Sequence, residues 1–296
     1  MQKRRRNLIS HLVPLGMMLL QLTLSHVASA KGASPDESVS AAKKLRQNGE
    51  YARAASFAEQ AVQQHPESWE AHLELARALN VAGQTDKAIN EIFESLRCNN
   101  KNPEARKELG AILLKKQLFD EAGGQFKQVV ELDPTDVAAR GDLGICYEKL
   151  GLVDNAIEQF AEILKSDPHN RFALYNLALA LELKGNLDQA IAAYMKLIKL
   201  DPKNSLAFTG LGQCYSLKKN FKTAIAAEKE AIRLYPQNHW AYLGLSEAYG
   251  GLNMRFEADE AVRKAIQLSP QDPACRLALT KMLKQNIAST PALTVR

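Results

Sequence analysis

Five prolines, Pro134, Pro168, Pro202, Pro236 and Pro270, stand at intervals of 34 residues, and Pro66 lies two intervals before the first of them. Asn100 fills the skipped site. On this beat the chain divides into seven units, 35–68, 69–102, 103–136, 137–170, 171–204, 205–238 and 239–272, with no insertion or deletion. A fixed period of this kind restricts the fold to an array of one repeated supersecondary unit. Independent columns keep the same register. The twentieth place is alanine in all seven units, from Ala54 to Ala258. The seventh is Ala41 and then six leucines, and the eighth is small throughout, as in Gly110, Gly144 and Gly212.

Each unit holds two apolar stretches at helical spacing, near the fourth, seventh, eighth and eleventh places and the twentieth, twenty-fourth and twenty-seventh. Between them lies a turn with Gly49, Gly83, Gly151 or Gly185, where a helix ends on a left-handed residue. The late proline stops the second helix. Small residues at the eighth and twentieth places are expected to let helix backbones approach closely. One such hairpin cannot bury its apolar face alone, and stacked neighbours complete the core. The expected fold is all-α: an α-solenoid (superhelix) of seven helix-turn-helix repeats and a C-terminal capping helix.

Unit 137–170 carries Leu143-Gly144, Tyr147, Ala156, Phe160 and Pro168. In these places the chain resembles the tetratricopeptide repeat (TPR) family, and the resemblance spans 35–272. It implies a concave face lined by the first helix of each hairpin. In the capping helix, 273–286, Leu279 and Leu283 continue the apolar register, and Arg276, Lys281, Lys284 and Gln285 face outward. Residues 287–296 read as a disordered tail. Three departures stand out. Gly123-Gly124 lie inside a second helix, either packed tightly or acting as a hinge. Glu228 takes an apolar place and must reach solvent or a buried cation. Gly250-Gly251 are expected to end a first helix early.

The net charge of +5, Lys and Arg exceeding Asp and Glu by 38 to 33, would suggest a nucleic-acid or membrane-surface partner. Its location argues otherwise. Lys3 to Arg6 are all basic, an apolar core of thirteen residues follows from Leu12 to Leu24, and Ala28-Ser29-Ala30 is a small-residue cleavage site. That order is a secretory signal peptide over 1–30, cut between Ala30 and Lys31, with 31–34 as a linker. The alternative is an uncleaved anchor, for which the apolar core falls short of the ~20 residues of a span. Cleavage leaves 34 basic against 33 acidic residues, a net +1. No nucleic-acid partner is then expected, and the membrane is met only in transit. Arg5-Arg6 fits a loose twin-arginine pattern, so the export route stays open.

Motifs for catalysis are missing: no phosphate-cradling G-x-x-x-x-G-K-[ST] loop, no H-E-x-x-H, no G-x-S-x-G. No catalytic residue, metal site or cofactor is expected. His65, His72, His169 and His239 read as turn or surface histidines. Cys98, Cys146, Cys214 and Cys275 form an even set. Cys146 and Cys214 share one place two units apart, so two hairpins of about 20 Å each separate them, from helices 8–10 Å apart. A bridge needs Cα atoms within about 7 Å, so four free thiols are expected.

What remains is a recognition surface. By the TPR resemblance the second, fifth, ninth, twelfth and thirteenth places line the groove. In the N-terminal half these places give Lys43, Arg46, Arg77, Asn80, Lys107 and Lys115, beside Asp36, Glu70 and Glu104. Farther on they give Phe172, Tyr175, Leu179, Leu183, Leu206, Leu217, Trp240 and Leu243, with Glu148, Glu182 and Glu247 as charged exceptions. An apolar stripe suits an extended or helical protein segment with apolar anchors, the basic end selecting an acidic flank. Lys107 is followed one turn later by Ala111, not Asn, so the family's carboxylate clamp is not supported. The expected function is a non-enzymatic scaffold, periplasmic or secreted, that binds protein segments in envelope assembly, secretion or a surface complex. The second reading is a structural component that self-associates through the same stripe.

Overall fold

The computed structural model describes residues 34–289. The expected signal peptide (1–30), the expected Ala30–Lys31 cleavage site, residues 31–33 of the expected linker and residues 290–296 of the expected tail (287–296) lie outside the described residues. The described residues are helical hairpins in the expected register. First and second helices alternate: α1 (Pro35–Gln47) and α2 (Tyr51–Gln64), α3 (Trp69–Val81) and α4 (Thr85–Cys98), α5 (Pro103–Lys115) and α6 (Phe119–Leu132). Four more hairpins follow: α7 (Val137–Lys149) and α8 (Val153–Ser166), α9 (Arg171–Leu183) and α10 (Leu187–Leu200), α11 (Ser205–Leu217) and α12 (Phe221–Leu234), α13 (His239–Gly251) and α14 (Arg255–Leu268). The last helix, α15 (Pro273–Ser289), runs three residues past the expected boundary at 286. The fold is thus the all-α repeat architecture of a solenoid. The chain forms two compact units, one ending at Asp133 and one beginning at Pro134.

Each hairpin is punctuated in the same way. The residue before each first helix is Ser34, Ser68, Asn102, Asp136, Asn170, Asn204 or Asn238, and its side chain accepts a backbone N–H of the first turn. Such caps satisfy donors that a helix start leaves orphaned. Each first helix ends before a residue of positive φ at the fifteenth place. Four of these are the turn glycines, and the others are Gln117, Lys219 and Asn253. Gly250 and Gly251 therefore do not end α13 early. They form its last turn, Gly251 lies against the Phe221 ring, and the left-handed residue is Asn253.

The core runs between helices. Alanine fills the third place of six units, from Ala71 to Ala241, and every one is fully buried. The twentieth-place alanines are buried from Ala54 to Ala224, and Ala258 is half-buried. The eighth-place glycines serve a different purpose from the one expected. A Cβ on Gly110 would stand 2.8 Å from the Phe126 ring, and one on Gly144 would stand 2.7 Å from Phe160. These glycines admit a large side chain from the twenty-fourth place of the second helix, rather than bringing two backbones together. Gly123 and Gly124 lie within an unbroken α6; Gly123 is buried, and Gly124 is exposed with open space around it. In α15, Cys275 and Met282 are buried, whereas Leu283 is exposed.

Within each unit every helix packs on the next. First helices of successive hairpins also meet: α1 with α3, and α7, α9, α11 and α13 in turn. Contact among first helices, without comparable contact among second helices, makes the first-helix layer the inner face of each unit. Two polar devices recur between repeats. Lys116 pairs with Asp86, Lys184 with Asp154, and Lys218 with Asp188, each across thirty residues. At the fourth place Arg140 donates to the Pro134 carbonyl (2.9 Å) and to Gln159 (3.1 Å). Arg106 repeats this on Asn100 and Gln125. His72 takes the same place, with Nε2 3.0 Å from the Pro66 carbonyl and Nδ1 2.7 Å from Glu91. His72 is thus buried and doubly bonded, not a surface histidine.

Candidate functional site

In the first unit the inner face carries an ion-pair ladder. The Arg46 Nε lies 3.0 Å from Glu74 Oε2. Arg77 reaches Glu74 (2.8 Å), Glu104 (3.0 Å) and Glu108 (2.7 Å) with its three nitrogens. Lys107 binds Glu104 at 2.7 Å. Burial works to lower the Arg77 pKa, but hydrogen bonds and charge from Glu74 and Glu108 outweigh it and hold the guanidinium above its ordinary value. The hydrogen bond from Lys107 keeps Glu104 below the usual carboxylate range. This corrects the expected basic sector. Arg46, Arg77 and Lys107 are largely neutralised by acids from their own face, and only Lys43 and Lys115 of the five stand exposed. Sequence reasoning overlooked Glu74 and Glu108 because they occupy the sixth place, outside the groove positions.

The inner face of the second unit is apolar. Phe172 and Trp240 are each 47% exposed, and Leu183, Leu206 and Leu217 are exposed as well. They lie on α9, α11 and α13, three first helices in succession. Tyr175, Leu179 and Leu243 are only half-buried. The rings are held in place. Phe172 stands edge-on to Phe160 at 6.3 Å and covers Gly141, Tyr175 stands edge-on to Tyr194, and Trp240 lies beside His239. Each ring is thus fixed on one side and open on the other, which suits an anchor in recognition.

Acids sit within this apolar face. The Tyr194 hydroxyl, from α10, donates to Glu182 Oε2 at 3.2 Å. Burial pushes the Glu182 carboxyl up, against the hydrogen bonds from Tyr194 and Cys214 that lower it. Glu228 is fully buried and neither reaches solvent nor meets a cation, contrary to both expectations. Its carboxyl stands between Gly212 and Gly244, where a Cβ on Gly212 would be 2.5 Å from Oε1. Burial, with Glu247 and Glu182 nearby, raises its pKa to about 10. Glu148 differs, being paired with Lys149 at 3.0 Å. All four cysteines are free thiols, and burial raises Cys146 to about 11 and Cys214 to about 12, so neither is a reactive thiolate. Among the described residues no group of His, Cys, Asp and Glu is arranged to hold a metal ion.

Tetratricopeptide repeat models match residues 45–112, 107–171, 142–205 and 175–239. The chain belongs to the tetratricopeptide repeat family. Solved TPR structures superpose on it. A TPR protein from Parabacteroides merdae is 16% identical, with 85% of this chain and 100% of that one covered and a TM-score of 0.66. YrrB, described as a TPR protein with an unusual peptide-binding site, is 20% identical, with 62% and 95% covered and a TM-score of 0.57. MamA is 28% identical, with 57% and 92% covered and a TM-score of 0.50. No curated protein matches the sequence. TPR arrays are in general protein-interaction scaffolds.

Proposed function

We propose that this TPR protein is a non-enzymatic, exported scaffold that binds protein segments on the first-helix face of its second unit. One observation carries the reading: Phe172, Leu206 and Trp240 open from three consecutive first helices onto one inner face. A monomer rarely leaves such a patch uncovered without a use. Export, to the periplasm or beyond, rests on the basic-apolar-small order of residues 1–30. The peptide-binding site reported for YrrB gives the reading a precedent in the same fold.

Photo-crosslinking from positions 175 and 240 in cells, followed by mass spectrometry, identifies what occupies the face. The expected result is a discrete protein partner lost on Trp240→Ala. Crosslinks only to a second copy would replace the scaffold reading with self-association. Crosslinks indifferent to Trp240→Ala would overturn the site. N-terminal sequencing of protein from the envelope fraction should start at Lys31, and a start at Met1 would refute cleavage.

A further inference from the structure

Three acids of the second unit, Glu182, Glu228 and Glu247, differ from the inner-face acids of the first in having no paired cation among the described residues. In the first unit Glu74, Glu104 and Glu108 are each met by Arg or Lys. In the second, Glu247 on α13 lies near enough to raise the proton affinity of Glu182 on α9 and of Glu228 from α12, Glu182 adds to the effect on Glu228, and no Lys or Arg pairs with any of the three among the described residues. Glu182 and Glu247 occupy groove places. Glu228 lies beneath, fully buried, its two oxygens without a hydrogen-bond partner and set between the α11 and α13 glycines. Every other unit fills this twenty-fourth place with an apolar or aromatic residue: Ala58, Ile92, Phe126, Phe160, Tyr194 and Val262. A buried carboxyl with no partner is costly, and packing does not require one here.

We propose that the α9–α13 face receives a protein segment bearing Lys or Arg among apolar residues, with the cation held by Glu182 and Glu247 above Glu228. This deepens the scaffold reading and rests on it. The occupant follows from charge complementarity: the face offers carboxylates and exposed Phe172 and Trp240, and its groove places on α9, α11 and α13 carry no Lys or Arg to welcome an acidic flank. The flanking rings and leucines take the apolar side chains, and a guanidinium or ammonium supplies the missing counter-charge.

The test is selection of a random phage-displayed peptide library on the purified protein, with affinities of the selected peptides read by fluorescence anisotropy. Selected peptides should carry Lys or Arg beside Leu, Phe or Trp. Replacing that cation with Gln should weaken binding about tenfold, the scale of one close charge pair. Selection on Glu182→Gln/Glu247→Gln should keep apolar peptides and lose the cation. The single Glu247→Gln variant changes an exposed residue and serves if the double variant does not fold. Apolar peptides selected without Lys or Arg would overturn the cation inference and leave the scaffold reading standing. Peptides unaffected by Trp240→Ala, or no enrichment at all, would overturn the scaffold reading itself.

Discussion

Glu228 and Gly244 interlock across two repeats: the Glu228 carboxyl occupies the space that a Cβ on Gly244 would need. Gly212 borders the same carboxyl from within its own hairpin. Gly244→Ala should therefore destabilise the protein by about 1–3 kcal/mol through overpacking. Glu228→Ala in the same chain should relieve most of that loss, since the two residues share one space. Urea denaturation of both single variants and the double variant measures the coupling. Additive losses would show that the carboxyl moves aside freely.

The same glutamate should give the protein a distinctive pH profile. Its folded-state pKa of about 10 lies above the ordinary 4.5. The folded state thus keeps a proton that the unfolded chain releases. The associated stability is complete below the ordinary value and is lost as pH rises towards the folded one, by at most about 1.4 kcal/mol per pH unit. Thermal denaturation should show Tm falling between pH 6 and 9. Glu228→Met, similar in volume and without charge, should flatten the fall and raise stability at pH 8 by about 1–3 kcal/mol. A parallel decline in both proteins would assign the slope to other groups.

In the first unit Glu74 is only 6% exposed at its side chain and is held by both Arg46 and Arg77. Either Arg46→Met or Arg77→Met leaves one cation in place and should cost about 1 kcal/mol. The double variant strands a buried carboxylate and should cost about 3–5 kcal/mol. The excess over the sum of the singles, measured by denaturant titration, is the signature of a shared partner.

Two glycine substitutions should act in opposite directions. Gly124 sits in a helix interior with open space around it, so Gly124→Ala should stabilise by about 1 kcal/mol. Gly151 has φ +74°, where a Cβ is strained, so Gly151→Ala should destabilise by about 1–2 kcal/mol. Differential scanning calorimetry resolves both. No gain at Gly124 would show that α6 draws on its flexibility.

The period of 34 made the hairpins, their turns and the apolar stripe legible, because helix and turn preferences act within a few residues. A cap column of Ser, Asn and Asp and a third-place alanine column are equally present in the sequence. The contacts that give the surface its charge were not legible. Arg46 meets Glu74 across 28 residues and Arg77 meets Glu108 across 31, so which basic residue stays open depends on how far side chains reach between repeats. The place of Glu228 stands out as anomalous in the sequence, but its surroundings are built by Gly212 and Gly244, whose role follows only from packing. For the candidate site, the register put Phe172 and Trp240 on exposed first-helix positions, where the structure has them, and gave no hint that the first unit neutralises its own cations.

The bond from three fourth-place side chains, His72, Arg106 and Arg140, to the carbonyl six residues earlier has a direction. His72 holds Pro66 and Arg140 holds Pro134, so the donor always comes later in the chain than its acceptor. During synthesis, when N-terminal segments emerge and fold first, each of these three hairpins meets a latch already in place. These latches can thus close as their hairpins emerge, whereas the Arg46 and Arg77 ion pairs must wait for acids still to be made.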